Sequence, residues 1–408
     1  MAKRAKVTSN RDVCIVGLAR TPMGSLNGTL ASKSAVELGA IAIKAALERS
    51  GVRSEEVEEV FMGHVISGNA GQAPARQAAL KAGLPNTVPC TSLNKVCASG
   101  MKAVAFASQS IMLGLRDIVI AGGMESMTNA PHMTGSMRSG ARFGQVSFVD
   151  AIQRDGLNDA FDNVPMGNFA EMCAEKYSLS RADQDQYSAE SYRKAVDATN
   201  AGKFKAEIVP VPVVRKRGEA PTMVEKDEEA FARAVTLESL SKLRPCFEPA
   251  VGVTAGNASP ISDGASALVL MSREKAILLG LEGHILAVIR GFDDAAHDPR
   301  FFTTAPSLAI PKALKRADVA KNEVDYFEIN EAFSAVALAN TKILNLDPKR
   351  VNVYGGAVAL GHPLGCSGAR IIATLCSVLH QENGRIGVAA VCNGGGGASA
   401  IVIEREMK

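Results

Sequence analysis

The sequence contains no tryptophan, only 5 tyrosines, and no C-x-x-C pair among its 8 cysteines. Without such a pair or a secretory signal peptide, we expect neither a disulfide framework nor a zinc site. No apolar run is long enough to span a bilayer, so no membrane partner is expected. The basic residues 1–11 lack an apolar segment and are too few for an intact transit peptide.

Neither sign of charge is in clear excess. The chain has 45 Lys and Arg against 42 Asp and Glu, a formal net charge of +3, which gives no reason to expect a nucleic-acid partner. Hydrophobic residues make up 47% of the chain and charged residues 21%, a globular mixture that excludes wholesale disorder. The 408 residues correspond to two or three domains.

Short apolar strands alternate with helical patterns in the first part of the chain. Strands are predicted at 13–16, 60–62 and 117–120, and an apolar helix is predicted at about 98–115. An earlier amphipathic helix is expected to stop at Gly51. This β-α-β alternation predicts an α/β protein with mainly parallel sheets and helical crossovers.

The two halves of the chain resemble copies of one α/β unit. Ser99-Gly100 and Ser367-Gly368, 268 residues apart, each open an apolar helix that leads to a strand. That interval is too long for a solenoid repeat. The helix after Cys97 is apolar or small on nearly every side, which predicts complete burial and a central helix pair between two sheets.

A less regular segment separates the halves. From about Met127 the chain becomes richer in charge and methionine, and Ser180 to Asp183 has the pattern of a capping box. We therefore predict three parts: an N-terminal half at 1–127 completed by about 253–282, an inserted loop subdomain at 128–252, and a C-terminal half at 283–408.

Two cysteines are candidates for chemistry. Cys97 is predicted at a helix N-terminus, where the dipole and free N–H groups favour the nucleophilic thiolate. The alternative is a small buried hydrophobic residue, the commoner role of a single cysteine. Cys392 ends a strand and is followed by four glycines, which let a substrate approach bare backbone N–H groups. Its alternative role is an incidental residue before a flexible turn.

A histidine and an asparagine complete the set of candidates. His362 lies between Gly361 and Pro363, so it could take a proton from a thiol or donate to an oxyanion, or simply bond to the turn backbone. The glycine spacing around it fits neither a P-loop nor a dinucleotide fingerprint. Asn330, where a strand meets a helix, is either an N-cap or a group that orients a water, and Glu331 would favour the N-terminal end of that helix.

Four motifs occur in order along almost the whole chain. They are N-K-V-C-A-S-G around Cys97, N-E-A-F from Asn330, G-G-A-V-A-L-G-H-P-L-G around His362, and C-N-G-G-G-G from Cys392. Together they resemble the thiolase family over about residues 13–404. The resemblance implies the thiolase fold, in which duplicated βαβ halves form α-β-α-β-α layers with an inserted loop subdomain.

The resemblance is strongest to the short-chain biosynthetic members of the family, and it therefore also implies an activity. That activity is the reversible Claisen condensation of two acetyl-CoA molecules to acetoacetyl-CoA and CoA through an acetyl-cysteine. Coenzyme A is then substrate and product, and no redox cofactor is implied. Homo-oligomers, dimers or tetramers, are expected from the family, and a cytoplasmic location is expected, or a mitochondrial one if a presequence was removed.

The resemblance assigns catalytic roles to five residues. Cys97 matches the nucleophile that carries the acyl group, and His362 matches the group that activates it and polarises a thioester oxygen. Cys392 matches the acid/base that removes a proton from the second acetyl-CoA. Asn330 matches a residue that holds a water in the oxyanion site of His362. The N–H groups of Cys97 and Gly394 match the second oxyanion site.

Substrate-binding roles follow from the same resemblance. Ser259 matches a contact to the pantetheine arm, and Met166 and Phe333 match linings of the acyl pocket. Short-chain members usually have His-Met-Gly where this chain has Pro165-Met166-Gly167, and a lysine directed at CoA in some members corresponds to Ser239. CoA placement around the insertion is therefore the least secure part of the resemblance.

A potassium site is a further implication, with ordinary packing as its alternative. The site of potassium-activated members is resembled by Tyr192 together with backbone groups of Ala255, Gly256, Ala258 and Val358. Tyr192 is also counted among the substrate-binding residues.

Three other functions are weighed against this one. A degradative 3-ketoacyl-CoA thiolase of broader chain length shares the catalytic residues. A ketoacyl synthase of the same fold would use one cysteine with two histidines. The loop that follows Cys392 argues against this class. A non-catalytic lipid-carrier homologue would have lost Cys97, His362 or Cys392, and all three are present.

Overall fold

The computed structural model describes residues 9–135, 137–214, 218–232, 234–250 and 252–406. The strands in these ranges are β1 Val13–Arg20, β2 Gly24–Ser25, β3 Glu59–Gly63, β4 Cys90–Leu93, β5 Ile118–Ser126, β6 His132–Met133, β7 Val149–Asp150, β8 Val211–Val213, β9 Thr222–Val224, β10 Ser262–Ser272, β11 Ala287–Ala296, β12 Tyr326–Ile329, β13 Ile386–Asn393 and β14 Gly397–Arg405. The helices are α1 Ala35–Ser50, α2 Pro74–Lys81, α3 Ser99–Met112, α4 Met166–Lys176, α5 Arg181–Asn200, α6 Glu229–Ala232, α7 Leu237–Ser241, α8 Arg273–Leu278, α9 Pro306–Ala317, α10 Ser334–Ile343, α11 Ala357–Leu360 and α12 Leu364–Gln381.

The main sheet contains the same strand arrangement twice. In the first half the order is β4-β3-β5-β10-β1, with β3 parallel to β4 and β5 and with β10 antiparallel to β5 and β1. In the second half it is β12-β13-β14-β11, with β12 parallel to β13 and β14 antiparallel to both of its neighbours. A parallel bridge from Phe327 to Val351 takes the place of β4. The duplication is confirmed, and a short antiparallel pairing of β1 with β11 joins the halves.

The expectation of mainly parallel sheets is wrong. Only the β3–β4, β3–β5 and β12–β13 pairs are parallel among the described strands of the main sheet. The turn after Asn393 returns β14 directly beside β13 in the opposite direction, as a hairpin does. Alternation of strands and helices in a sequence does not reveal which strands become neighbours, so it cannot give their direction.

The halves are stacked through their helices. One core lies between the first half-sheet and α1 with α2, a second encloses α3 and α12, and a third lies between the second half-sheet and α9. This is the expected α-β-α-β-α layering. Helix α12 is buried from Leu364 to Leu379.

Helix α3 differs from its prediction of burial on all sides. Its face toward α12 is buried, but Phe106 and Met112 on the other face are 38% and 42% exposed, and the half-buried Lys102 lies over the Phe106 ring. Apolar composition shows what a helix face prefers, and no element in the described part of the chain covers that face. Only α12 of the central pair is buried all round.

The segment between β5 and β10 supplies α4 to α7, and it packs on the second half through contacts of α4 and α5 with α10. The capping box at the start of α5 is confirmed, since the Ser180 and Asp183 side chains each bond to the other's backbone N–H at 3.1 and 2.8 Å. Helix α1 ends at Gly51 in the left-handed conformation, as expected. Within the described residues, no helix combines the length and apolarity needed to cross a bilayer.

Candidate active site

One cavity of about 320 Å³ collects most of the candidate residues. It opens between the start of α3, the turn after β13, the loop before α12, and the irregular segment before α4. Seven of the predicted site residues line it: Cys97, Met166, Ala258, Ser259, Phe333, His362 and Gly394. The rest of its wall is largely apolar, with Leu157, Phe247, Ile261, Phe302 and Leu364 among the contributors.

Cys97 is held by a tight turn at the entrance to α3. Val96 has a φ of 48°, a conformation that a β-branched residue rarely adopts. The turn is fixed from both sides, because Asn94 Oδ1 accepts the Val96 N–H at 2.8 Å and Ser99 Oγ accepts the Lys95 N–H at 2.8 Å. This strained turn places the thiol at the cavity wall beside the helix start.

The environment of Cys97 keeps its thiol protonated. Burial raises the pKa of the thiol to about 12, while hydrogen bonds from the N–H groups of Gly394 and of Cys97 itself act in the opposite direction. The sequence argument from the helix terminus considered only the second effect, and burial outweighs it. A base is therefore needed to generate the nucleophile, although the two N–H groups are already aimed at the sulfur.

His362 is oriented as a neutral base. Gly361 has a φ of 111°, and a Cβ there would lie 2.5 Å from Ser262 Oγ, so this turn requires glycine. The His362 Nδ1 atom lies 2.6 Å from Ser367 Oγ, whose own proton goes to Pro363 O at 2.9 Å. Nδ1 must then be the donor, which leaves the lone pair on Nε2.

Electrostatics support that state of the imidazole. Burial, with a contribution from Arg370, lowers the pKa of His362 to about 3, so the ring is neutral near pH 7. Ser367 was noted in the sequence only as the start of an apolar helix. Its position five residues after His362, in the first turn of α12, was the signal that it could reach the ring.

Asn330 lies beside His362, with its Nδ2 atom 3.5 Å from His362 Nε2. It is not an N-cap, because α10 begins only at Ser334, after an extended Phe333. Its buried Oδ1 atom has no hydrogen-bond partner in the described structure. An asparagine with one free oxygen facing a site is suited to hold a water.

Glu331 is not a helix-terminus charge either. Its buried carboxylate accepts hydrogen bonds from Tyr187, Ser191 and Asn352 and from the Val358 N–H, at 2.8 to 3.1 Å. It thus ties the strand end that carries Asn330 to α5 and α11.

Cys392 lies at the end of β13 and is fully buried. It packs with Met166, Phe302 and Ala332 rather than lining the open cavity. Burial raises the pKa of its thiol well above the ordinary value, and the nearby Cys97 raises it further. Two thiols that interact in this way cannot easily ionise together, so each is suited to act in a different step.

The substrate-binding candidates divide between the cavity and its surroundings. Ser259 Oγ donates to Ala332 O at 2.8 Å, and Phe333 meets Phe247 edge to face at a centroid distance of 6.2 Å. Pro165 lines the cavity just before Met166 opens α4, whereas Ser239 lies exposed in α7, where it forms a capping box with Thr236.

Tyr192 does not line this cavity. It is buried on α5 in a cluster that includes Val358. Asp185, two turns earlier on the same helix, accepts the Asn257 side-chain N–H at 2.9 Å. The loop that contains Ala255, Gly256 and Ala258 and the phenol of Tyr192 are therefore held by one face of α5.

Comparison with known proteins identifies the fold and the family. The thiolase N-terminal domain model matches residues 13–274 and the thiolase C-terminal domain model matches residues 283–405. The chain belongs to the thiolase family. The predicted division at 127/128, 252/253 and 282/283 is finer than these two matches and stays a prediction.

Curated relatives and a solved structure match the thiolase chain over nearly its full length. Acetyl-CoA acetyltransferase 2 of Arabidopsis thaliana is 56% identical over 407 residues, covering 99% of this chain and 100% of the relative. A cytosolic acetyl-CoA acetyltransferase of Gibberella zeae is 54% identical, covering 96% and 98%. The Acat5 thiolase of Ascaris suum, crystallised with coenzyme A, superimposes with a TM-score of 0.91 at 44% identity, covering 97% and 100%.

One further buried group of this thiolase was missed by sequence reasoning. Glu125 of β5 accepts the N–H groups of Val65, Ile66 and Gly365 at 2.8 to 3.1 Å. Burial raises the pKa of this carboxyl to about 7. It fixes the start of α12, two residues beyond Pro363, and its place in Gly122-Gly123-Met124-Glu125 gave no pattern that distinguished it from surface acids.

Proposed function

We propose that this thiolase is an acetyl-CoA acetyltransferase that condenses two acetyl-CoA molecules reversibly to acetoacetyl-CoA and CoA. The observation that carries the proposal is the convergence of a thiol, two N–H donors and a neutral imidazole on one apolar cavity. Cys97, Gly394 and His362 supply these groups. The names of the curated relatives support the same activity.

The first half-reaction transfers the acetyl group. His362 Nε2 takes the proton from Cys97, and the thiolate attacks the thioester carbon of acetyl-CoA. The N–H groups of Gly394 and Cys97 face the sulfur and can receive the negative oxygen that develops next to it. His362 then returns the proton to the departing CoA sulfur, leaving acetyl-Cys97.

The second half-reaction forms the carbon–carbon bond. For this step His362 Nε2 takes the proton of Cys392, and the resulting Cys392 thiolate removes a proton from the methyl group of a second acetyl-CoA. Asn330 with a bound water and the protonated His362 stabilise the enolate oxygen. The carbanion attacks acetyl-Cys97, and the thiolate of Cys97 leaves. Acetoacetyl-CoA is released, and proton transfer among the side chains restores both thiols.

Chain length is set by the far wall of the cavity in this proposal. Met166 and Phe333 line the cavity, and Phe247, another lining residue, meets the Phe333 ring edge to face. A wall that clashes with a long chain rejects it more strongly than the roughly 1–3 kcal/mol that each methylene contributes in an open apolar pocket. Pro165, in place of the family's usual histidine, lies in the same wall.

Two measurements test the function. The ratio of kcat/KM for thiolysis of acetoacetyl-CoA to that of 3-ketohexadecanoyl-CoA is expected to exceed one by a wide margin. A ratio of one or less would assign the protein to the degradative class. Labelled acetyl-CoA, followed by digestion and peptide mapping, is expected to place the label on Cys97, and label on another cysteine would overturn the assignment.

Potassium is proposed as an activator of this enzyme. The candidate donors are all neutral oxygens, the phenol of Tyr192 and backbone carbonyls, which suit a large monovalent cation. The proposal is supported by the bond from Asn257, in the loop that carries three of the candidates, to Asp185 on the same helix as Tyr192. The cation would rigidify the loop that leads to Ser259. Initial rates in KCl should exceed those in NaCl at equal ionic strength, and Tyr192→Phe should remove the difference.

Assembly and location are also proposals. The exposed apolar residues of α3 and of the segment after it, among them Phe106, Leu113 and Leu115, favour a homo-oligomer. Light scattering after gel filtration is expected to give a dimer or tetramer mass rather than 42.7 kDa. A cytoplasmic location is supported by the cytosolic Gibberella zeae relative, and cell fractionation tests it against a mitochondrial one.

A further inference from the structure

A second cavity, of about 460 Å³, shares no lining residue with the active site. It lies where three parts of the chain meet: β1 of the first half, the segment that follows α5, and the last turns of α12. The residues that shape it include Val16, Leu18, Arg49, Gly202, Lys205, Gly283, His284, Leu286, Cys376 and His380.

The inside of this cavity is apolar. Val16, Leu18 and Cys376 are buried, and Leu286 is partly buried beside them. Burial raises the pKa of the Cys376 thiol far above its ordinary range, so that side chain remains neutral. An alkyl chain fits this lining better than a polar ligand does.

The mouth of the cavity carries positive charge and no carboxylate. Arg49, Lys203 and Lys205 line it together with His284 and His380, and neither Asp nor Glu is among the lining residues. Lys203 is neutralised by Glu382 at 2.8 Å. Arg49 and Lys205 form no salt bridge with any residue that the structure describes.

Arg49 carries most of the argument. It is half-buried, and its terminal nitrogens donate only to the backbone oxygens of Leu18, Ala206, Glu207 and Ile208. The Glu207 carboxylate is already paired with Arg20 at 2.6 Å. Glu207 and Glu48 act on Arg49 only through space, and no described carboxylate contacts its guanidinium, so an anion that arrives from outside would add the direct charge partner.

Lys205 adds a second, more exposed cation. Its side chain folds back over Gly202, so that a Cβ at Gly202 would lie 3.6 Å from the ammonium nitrogen. This places the ammonium of the exposed Lys205 beside another lining residue of the cavity. Two cations thus flank an apolar chamber of a size that proteins use for small ligands.

We propose that this cavity binds an amphipathic organic anion, a single alkyl chain that carries a carboxylate or phosphate head group. The chain enters between Val16, Leu286 and Cys376, and the head group remains at the mouth near Arg49 and Lys205. The site does not depend on the proposed acetyl transfer, because it uses none of the catalytic residues.

Calorimetric titration of the full-length protein tests the proposal with four probes: decanoate, decyl phosphate, neutral 1-decanol and decyltrimethylammonium. One or both anions should bind at least tenfold more tightly than the alcohol and the cation. The better head group shows whether the natural ligand is a fatty carboxylate or a phosphate monoester. Failure of both anions to bind, or equal binding of 1-decanol, would overturn the proposal.

Two variants place the binding at this cavity. Lys205→Glu should weaken anion binding about tenfold, because a repulsive charge replaces an attractive one at the mouth. Gly283→Leu should weaken it at least as much by filling the chamber, and the backbone there accepts a side chain, since a Cβ meets nothing within 4 Å.

Matched controls are an exposed lysine and an open glycine elsewhere. Lys349→Glu makes the same charge change, and Gly135→Leu adds the same side chain at a position where a Cβ also meets nothing within 4 Å. Both should bind the anions within twofold of the original protein. Equal affinities in Lys205→Glu, Gly283→Leu and the two controls would show that the anions bind elsewhere, including the acyl cavity, and would refute the site.

Discussion

At the scale of residues, Cys97 and His362, the proposed nucleophile and base of this thiolase, are buried and neutral before substrate arrives. Burial raises the pKa of Cys97 and lowers that of His362. A resting ion pair between a Cys97 thiolate and a protonated His362 is therefore disfavoured. Activation must then coincide with substrate binding, when charge passes directly into a developing oxyanion. The predictions for single side chains follow from this resting state.

Alkylation of Cys97 by iodoacetamide should accelerate steadily with pH. Because its pKa is raised to about 12, the thiolate fraction and the rate should rise about tenfold per unit between pH 7 and 9, whereas an ordinary thiol near 8.5 would begin to level off. Peptide mapping by mass spectrometry gives the rate, with the exposed Cys246 as an accessible reference. A plateau below pH 8 would mean that the thiolate is stabilised at rest.

Cys392→Ser should separate the two half-reactions. A serine hydroxyl is too weak an acid to replace the thiol, so condensation should fall by roughly 10² to 10⁴-fold while acetyl transfer to Cys97 persists. Both are measured on one preparation, the first by acetoacetyl-CoA formation and the second by labelling of Cys97. Condensation near the original rate would make Cys392 a structural residue.

Ser367→Ala should lower the rate of acetyl transfer through His362. Without the acceptor at Nδ1, the ring can move its proton to Nε2 and lose the base that faces Cys97, at a cost of roughly 10- to 100-fold in kcat. KM should change little, since Ser367 does not line the cavity. Ser367→Thr retains the hydroxyl and should restore much of the activity, which a purely structural role of the site would not predict.

At the scale of elements, the site depends on how closely α3 and α12 cross. Gly100 and Gly368 lie at the contact, and a Cβ at Gly368 would come 2.4 Å from Met101 N. This approach sets the first turns of both helices side by side, one after Cys97 and the other carrying Ser367. Gly368 is required because the two backbones approach closely there, and not because its φ is unusual.

Gly368→Val should therefore destabilise the protein and disturb catalysis together. Overpacking a rigid interior costs typically about 1–3 kcal/mol, and here the clash is with backbone, which cannot rotate away. Thermal unfolding and acetyl transfer should both suffer. Gly283→Val, where a Cβ meets nothing within 4 Å, should leave both nearly unchanged, and equal effects of the two variants would contradict this account.

At the scale of the whole molecule, buried charges join the first half-sheet to the inserted segment. Arg20 of β1 is fully buried and pairs with Glu207 at 2.6 Å and with Asp227 at 2.6 and 2.9 Å. Both carboxylates come from the segment between β5 and β10. The ion pairs therefore decide how that segment is fixed to the rest of the chain.

Asp227→Ala should be strongly destabilising. It leaves part of the Arg20 guanidinium uncompensated in the interior, which costs typically about 3–5 kcal/mol. Urea denaturation followed by circular dichroism measures the loss. The exposed pair of Lys242 and Glu238 gives the control, since Glu238→Ala removes a surface bridge worth about 0–1 kcal/mol. Similar midpoints for both variants would show that the buried pair is dispensable.

The order of strands and helices along the chain was largely predictable from the sequence. Strands at the start of the chain, the stop of α1 at Gly51 and the capping box at Ser180 follow from short-range rules, and the structure has each of them. The mixed direction of the strands and the exposed face of α3 were not, because they depend on neighbours remote in sequence. Nothing local in β10 indicates that it pairs with β5 and β1 in the opposite direction.

The sequence by itself determined the family, because the four motifs and their order identify it. It also determined most of the residues that line the cavity, because the local turns at Cys97 and His362 follow from the residues beside them. Only the tertiary structure decided their chemical state. Burial, a sum over atoms from distant segments, overrides the helix terminus at Cys97. The tautomer of His362 depends on Ser367, and the partners of Glu125 and Arg49 come from other strands and loops, which no local pattern in the sequence encodes.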